Sequence, residues 1–502
     1  MPRRVEGSTI GSLLSSRYLD GLRIHLIGIG GCGMSGAADM LIQRGAKVSG
    51  SDLAVFEAMP RLMAAGARIF IGHRVAQVDP ATDLVVISAA IPVTNPERVI
   101  AEELGLPVLK YAQLLGYLMR SFDAVAVAGT HGKTTTAAMC AHVFRAAGLD
   151  PYFVVGAHCE QLGGSSGVGN GRHFVVESCE FDRSFLHFHP RSAAILNIEA
   201  DHLDCFRDLE EITAAFADFA RRVPAGGLVV CNGEDVRARR AATASDAAVQ
   251  TFGYRPGVDW RAVGLRTDRG RFAFDAEFRG DVFLSTSLAI PGLHNVGNAL
   301  AAIALGHHAG ADPEAMAAAV ASFRGVNRRL TFRGKGRGVT ILDDYAHHPT
   351  EVRVTIEAAR YRYEPRRALV VFQPHQQTRT WRLMDEFAVS FAAADEVVIP
   401  DVYGAREAGG EANGRASEEL ASRIVGCGGR AHYVPTLRDA TDHVTQRVEE
   451  GDMVLTMGAG DVWKVADELV ERFCGTDGMQ RSLGATHLVS TGGSCAVSVS
   501  AA

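Results

Sequence analysis

Residues 124–139, AVAVAGTHGKTTTAAM, constrain the fold more tightly than any other stretch of the chain. An apolar run passes straight into Gly-Thr-His-Gly-Lys-Thr-Thr and then into residues that favour helix, the order of strand, loop and helix. In that order, backbone N–H groups at a helix N-terminus face phosphate oxygens with the positive end of the helix dipole behind them. Lys133 adds a point charge and the Thr134 hydroxyl suits Mg²⁺. The spacing is compressed. The common G-x-x-x-x-G-K pattern needs a glycine at Val127, whereas this chain supplies Gly129 and Gly132. Strand, loop, G-K-T and helix in succession still read as a nucleoside triphosphate cradle rather than an ordinary strand-to-helix turn.

A chain of 502 residues exceeds the ~250–300 at which single cores stop growing, so about three domains are expected. Acidic residues outnumber basic ones, 57 to 51, and the formal net charge of −6 gives no net positive field to draw nucleic acid. The nine cysteines are odd in number and never spaced C-x-x-C, which predicts reduced thiols in the cytoplasm rather than a disulfide frame or a zinc site. No apolar run approaches the ~20 residues needed to cross a bilayer, and the opening MPRRVEGSTIGS lacks the apolar core of a signal. Membrane insertion is not expected.

RIHLIGIGGCGMSGAADMLIQRG reads as strand, glycine turn and helix, and strands follow at KVSGSD, ARIFIG and DLVVISAAI. The alternation predicts a parallel sheet covered by helices. A link near residues 121–123 precedes the phosphate-loop strand. The second unit carries FVVG, HFVVES, AAILNIEADHLD, a helix over residues 209–222, GGLVVCN and the helix opened by GLHNVGNALAAIALG, and ends near FRGVNRRL. FRGKGRG is then expected to be a hairpin or a mobile connector, with residues 333–338 as a candidate hinge. RALVVFQPH, DEVVIPDVYG and GDMVLTMGAGD mark a third α/β layer, and the Ser/Gly/Ala-rich end reads as a disordered tail. The expected domains are residues 1–121, 122–329 and 330–475, with a tail over 476–502.

The turn Gly28-Ile29-Gly30-Gly31-Cys32-Gly33 satisfies G-x-G-x-x-G, and Asp52 ends the next strand where a ribose-binding acid belongs. This motif fits any nucleoside diphosphate. A nicotinamide cofactor would need a hydride-transfer centre, which nothing downstream arranges, so a UDP-linked substrate is the preferred occupant. Beyond the Lys133 loop, Glu177 in FVVESCEFD and His202 in LNIEADHLD stand at strand ends where metal ligands are expected. A carboxylate suits Mg²⁺; for His202, spacing leaves a ligand and a hydrogen-bonded structural histidine both open, with Asp201 as an alternative ligand or an orienting partner.

GIGGCGMSG, AGTHGKTTT, NIEADHLD, GLHNVGNALAA, FRGVNRR, DDYAHHPTEV and FQPHQQTRT occur in this order, and together they closely resemble the Mur ligases of peptidoglycan synthesis. The resemblance implies an α/β chain of three domains: a Rossmann-like N-terminal domain, a central P-loop ATPase domain and a Rossmann-like C-terminal domain. It implies ATP and Mg²⁺, two ions, as cofactors, and a monomer or homodimer. Gly129, Thr130, His131, Gly132, Lys133, Thr134 and Thr135 would cradle ATP, with Thr134 and Glu177 on one Mg²⁺ and His202 facing a second. His294 and Asn295 resemble the adenine-side pair, Asn298 being open between that role and helix packing. Arg328 resembles the arginine that reaches the phosphates, and Asp344 the acid near the ribose. Gly28, Gly30, Gly31, Gly33, Met34, Ser35, Asp52 and Ser88 would hold the UDP moiety. Tyr345, His347, His348, His375 and Arg379 would wall the muramate carboxylate and the incoming amino acid, with Lys133, His202, His348 and Arg379 closest to the chemistry. Two residues depart from the family's pattern. Cys179 replaces an acid that sister members carry, and Phe216 stands where ligases adding later residues carry a carbamylated lysine. The second departure fits the alanine-adding branch, whose substrates are UDP-N-acetylmuramate and L-alanine.

Overall fold

A computed structural model describes Leu14 and residues 19–203, 205–405, 407 and 411–474 of the chain; the tail expected over residues 476–502 lies outside them. Three sheets organise these residues. The first is five-stranded and parallel, in the order Arg68–Ile71, Lys47–Asp52, Arg23–Ile27, Leu84–Ile87 and Val108–Lys110. Leu84–Ile87 is buried along its whole length, as a parallel strand covered on both faces should be. Strand order reverses between Arg23–Ile27 and Leu84–Ile87, which opens a crevice at their carboxyl ends, and Gly28 and Ser88 are the residues that follow those ends.

The second sheet has ten strands. Its parallel centre places Asp123–Ala128 between His173–Glu177 and Ser192–Ile195, with Val127 opposite Glu177 and Ala128 opposite Ile195. That register delivers three carboxyl ends to one place: the phosphate loop, Glu177 and the segment running to His202. The helices expected after the glycine turns are present as Cys32–Gln43, Lys133–Ala146 and Leu293–His308. Leu209–Ala220 begins at Asp208, whose side chain accepts from the Glu211 N–H, a cap that satisfies one of the helix's orphan donors.

Sequence reasoning did not anticipate the antiparallel edge of this sheet, Trp260–Asp268, Arg271–Phe278 and Asp281–Ser287. Its two hairpins turn on Arg269-Gly270 and Arg279-Gly280, both residues of each pair having positive φ. Two such residues give the mirror-image turn whose twist matches paired strands. Arg-Gly is a weaker signal for that turn than Asn-Gly, so the strands were passed over although FAFDAEF alternates.

The third sheet runs Thr331–Gly336, Val339–Asp344, Met453–Met457, Ala368–Phe372, Glu396–Ile399 and Ala431–Tyr433, parallel except for its first pair. The hairpin reading of FRGKGRG holds: Arg337-Gly338 forms the same kind of turn. The hinge reading over residues 333–338 does not. Ladder hydrogen bonds hold the first strand in the sheet, and Gly334 and Gly336 lie against Val470, Phe473 and Cys474 of the helix Trp463–Cys474.

By compactness the chain forms two units: residues to 329 with 357–364, and 330–356 with those from 365 onward. The first two sheets share the first unit. Leu26, Met40 and Leu115 belong to the same buried cluster as Val176, Ile195 and Phe219, so the core runs across the link near residue 121 without interruption. Among the described residues no helix is long and apolar enough to cross a membrane, and Cys140, Cys159, Cys179, Cys205, Cys231, Cys427 and Cys474 are free thiols.

Candidate active site

At the first glycine turn each glycine answers a different crowding. Gly28 has φ +81°, and its N–H and that of Ile29 donate to the Ser51 carbonyl. A Cβ on Gly30 would come within 2.8 Å of Asp52 Oδ2 and 2.7 Å of the Phe56 ring, and one on Gly33 would overlap the Tyr111 hydroxyl. Asp52 Oδ2 accepts the Gly30 N–H at 2.8 Å, which holds the carboxylate at the turn. Gly31 precedes the helix, and the Ser35 N–H donates to its carbonyl. Ser88 packs 3.0 Å from where a Gly28 Cβ would stand. Met34 is buried in the shared core, so its side chain supports the turn from behind.

The phosphate loop is braced by the next strand end. Thr130 N–H donates to the Asn197 carbonyl, His131 N–H to Asn197 Oδ1 at 2.7 Å, and Glu199 N–H to Thr130 Oγ1 at 2.9 Å. Asn197 was not singled out in the sequence; only its contacts to a loop 66 residues away show its part. Gly129 and Gly132 have φ +145° and +80°, backbone that side chains resist. Lys133 Nζ donates to the Gly129 and Thr130 carbonyls at 2.6 and 2.9 Å and lies 3.0 Å from Glu180 Oε2. Burial works against its charge, but the carboxylates of Glu180 and Glu177 outweigh that and hold the ammonium above the ordinary lysine range. Thr135 is buried on the first turn of the helix.

Thr134 Oγ1 donates to Glu177 Oε1 at 2.9 Å, and the other Glu177 oxygen accepts the Gly156 N–H. Two hard oxygens fixed beside a phosphate loop fit Mg²⁺. His202 does not join Glu177 in one ligand set: its Nε2 lies 4.0 Å from Glu180 Oε1 and 3.9 Å from Asp201 Oδ2, and its φ of +49° is unusual for a side-chain-bearing residue. Asp201 Oδ1 accepts the backbone N–H of His202 at 2.7 Å. The sequence comparison marked an acid missing at Cys179, yet Glu180, one residue on, is buried between Lys133 and His202. The wording ESCEFD contained that signal. Phe216 is buried edge-to-face against Phe185, where an ammonium-bearing side chain has no water.

His294 and Asn295 open the helix Leu293–His308, which packs on Lys133–Ala146. Asn298 donates to Asn295 Oδ1, and its own Oδ1 lies 2.8 Å from where a Gly132 Cβ would be, so Asn298 is tied to both Asn295 and the loop. Tyr254, unremarked in the sequence, receives the Gly297 N–H and donates to the Leu293 carbonyl, pinning that helix end. Arg328 adopts φ +59° just before the chain leaves the first unit.

In the second unit, the remaining candidates follow the carboxyl ends of Val339–Asp344, Ala368–Phe372 and Glu396–Ile399, with Met453–Met457 between the first two. Asp344 is buried, accepting the Leu330 N–H at 2.6 Å and the Ala346 N–H at 2.7 Å. Tyr345, His347, His375 and Tyr403 form a chain of rings with centroids 5.3, 5.9 and 5.7 Å apart. Tyr403 was missed because it lies in DEVVIPDVYG, a strand end with no motif. Arg379 Nη1 donates to His375 Nδ1 at 3.1 Å, and Glu407 accepts the Gln377 and Thr378 N–H groups at the start of that short helix. Two histidines are distinguished by tautomer. His347 Nδ1 faces the Tyr345 carbonyl at 2.9 Å and must donate, so in the neutral ring the lone pair is on Nε2; His348 Nδ1 accepts from Thr350 N–H at 3.3 Å, which puts the proton on Nε2.

Three family profiles match in the order of the three sheets: Mur ligase family, catalytic domain, over residues 23–123; Mur ligase middle domain over 127–306; and Mur ligase, glutamate ligase domain, over 328–460. A UDP-N-acetylmuramate--L-alanine ligase of Alkaliphilus metalliredigens is 41% identical over 449 residues, 89% of this chain and 96% of its own length. The chain belongs to the Mur ligase family. A second relative with the same name, from Pelotomaculum thermopropionicum, is 42% identical over 89% of this chain and 97% of its own. Among solved Mur ligases, the UDP-N-acetylmuramate-alanine ligase of Thermotoga maritima superposes with a TM-score of 0.75 at 30% identity, covering 90% of this chain and 99% of that one. A murein peptide ligase of Psychrobacter arcticus scores 0.66 at 25% identity, covering 93% and 100%.

Proposed function

We propose that this Mur ligase joins L-alanine to the carboxylate of UDP-N-acetylmuramate at the expense of ATP, the first amino-acid addition to the peptidoglycan stem. The observation that carries the reading is the phosphate loop with Lys133, Thr134, Glu177, Glu180 and His202 gathered at three adjacent strand ends. The alanine-ligase name of relatives about 40% identical over nine-tenths of the chain selects the substrate, and the lower likeness to the peptide ligase argues against a recycling role.

A carboxylate is a poor electrophile, and phosphorylation converts one of its oxygens into a leaving group. ATP + UDP-N-acetylmuramate + L-alanine gives ADP, phosphate and UDP-N-acetylmuramoyl-L-alanine through an acyl phosphate; positioning and charge neutralisation supply most of the rate. Lys133 exchanges its loop carbonyls for β/γ-phosphate oxygens, and Glu180 keeps it charged and aimed. Thr134 and Glu177 would hold one Mg²⁺ and His202 would face a second; the bound ions would neutralise phosphate charge. His294 and Asn295 flank adenine, Arg328 reaches the phosphates and Asp344 the ribose. Gly28, Gly30, Gly31, Gly33, Ser35, Asp52 and Ser88 hold the UDP moiety, with Met34 supporting the turn from the core. Arg379 and His375 face the muramate carboxylate, His348 donates from Nε2, and His347, with its lone pair on Nε2, takes the proton from the alanine ammonium. On this reading residues 1–121 bind UDP, 122–329 ATP and 330–475 the amino acid, and the free thiols fit a cytoplasmic enzyme.

The test is phosphate release by the purified full chain with ATP, Mg²⁺ and UDP-N-acetylmuramate. L-alanine is expected to start release; faster turnover with a preformed stem peptide would replace this reading with the recycling one.

A further inference from the structure

The third sheet carries a second group of ligating side chains that the ligation does not use. Glu396 begins the strand Glu396–Ile399, His432 is the middle residue of the edge strand Ala431–Tyr433, and His443 lies on the helix Leu437–Arg447. His443 Nε2 is 2.9 Å from Glu396 Oε1 and His432 Nε2 is 3.5 Å from the same oxygen, with the two rings 4.9 Å apart. One ligand atom from each residue lies within 4.8 Å of the other two. A tetrahedral zinc ion with bonds of about 2.0–2.1 Å sets its ligand atoms about 3.3 Å apart, close to these separations.

A hydrogen bond from His443 to a buried carboxylate would need only one imidazole. Here a second arrives from a different element with its Nε2 turned to the same oxygen. Arg447 Nη1 stands 3.7 Å from that oxygen, beyond hydrogen-bonding reach, on a side chain half exposed and able to withdraw into water. The His432 side chain is 40% exposed, which leaves one side of the cluster to solvent and room for a water as fourth ligand.

We propose that Glu396, His432 and His443 bind one Zn²⁺, which ties the three-residue edge strand to the neighbouring strand and to the helix behind it. A strand of three residues at a sheet edge has few ladder bonds of its own, so a metal tie there acts on local stability rather than on chemistry. Two imidazoles with one carboxylate select zinc over Mg²⁺, which favours an all-oxygen set.

The full-length protein, stripped with chelator and kept in saturating Mg²⁺ to occupy the oxygen sites, is titrated with Zn²⁺ and, separately, with Co²⁺. The wild type should bind one Zn²⁺ per chain, gain melting temperature from it, and show the visible absorption of tetrahedral Co²⁺. His432→Ala, at a half-exposed position that tolerates truncation, and His443→Gln should each weaken Zn²⁺ by at least the roughly 10- to 100-fold that loss of an outer partner alone costs. Both should abolish the cobalt signal and leave ATP-dependent turnover unchanged. No zinc binding by the wild type, or equal affinity in the wild type and His432→Ala, overturns the assignment.

Discussion

The turn at residues 28–33 and the loop at residues 129–133 both leave the carboxyl end of a central parallel strand and enter a helix, within one compact unit. They are glycine-rich for different reasons. Gly30 and Gly33 are required because Phe56, Asp52 and Tyr111 crowd them, and the turn's own N–H is satisfied by a carboxylate, Asp52. Gly129 and Gly132 are required first by the backbone itself, with φ of +145° and +80°, while Leu196 Cβ and Asn298 Oδ1 also crowd them at 2.9 and 2.8 Å, and the loop that they shape gathers a cation between carboxylates. The first is a shape-selecting site with one anion already in place; the second concentrates charge. Substitutions should cost little rate at the first and a great deal at the second.

The largest effect is expected for Lys133→Ala, which removes the lysine charge of its loop and should lower phosphate release by on the order of 10³-fold or more in a protein whose circular dichroism is unchanged. Near-normal turnover would erase the contrast between the loops. Glu180→Gln leaves Lys133 without its charged partner and should cost roughly 10- to 100-fold in turnover while ATP still binds; if ATP binding alone suffers, Glu180 serves the loop's shape and not its chemistry. The glycines can be told apart by rescue. Gly132→Ala imposes left-handed backbone on a side chain, about 1–2 kcal/mol, and also presses on Asn298 Oδ1, so Asn298→Ala should relieve the cost only in part. Gly33→Ala overpacks by about 1–3 kcal/mol, which Tyr111→Ala should relieve. Melting curves of the four variants and two doubles decide this, and calorimetry should show Gly33→Ala weakening UDP-N-acetylmuramate but not ATP.

The smallest effect concerns how separately the two regions unfold. Burial, reinforced by Arg120 and Arg222, lowers His189 from 6.5 to about 4, and burial likewise lowers His173 and His308. The unfolded chain therefore takes up protons that the folded chain refuses as pH falls from about 6.5 towards 4, and stability drops through that window, whereas above 6.5 these groups are neutral in both states and change nothing. Urea unfolding at pH 7.5 and pH 5 should show the decrease. Because one core spans both sheets, probes of the first sheet and of the second should lose stability together; separate transitions would show the cores to be independent.

Much of this was readable before any coordinates. Local order in the sequence records local constraints: a strand feeding a glycine turn and a helix, G-x-G-x-x-G with Asp52 after the next strand, and G-K-T at a helix start each depend on neighbours close in the chain. The strand ends bearing Glu177 and His202 followed from the same local order, whereas Asp344 and Arg379 were marked only by the resemblance to the Mur ligases. Residues whose part depends on distant partners were not readable. Asn197 braces a loop far from it in the chain, Tyr254 pins the helix carrying His294, Tyr403 completes a row of rings and Glu180 stands beside Lys133, none at a spacing that announces it. The Arg-Gly hairpins and the pairing of residues 331–336 into a sheet were likewise decided by partner strands. The sequence by itself determined the succession of strands, phosphate-binding turns and helices, because these rest on backbone geometry and short-range hydrogen bonding. Only tertiary structure decided which carboxylate serves the lysine, which imidazole nitrogen holds the lone pair and where one core joins two sheets, because burial, tautomer and charge are set by atoms that only the packed chain brings together.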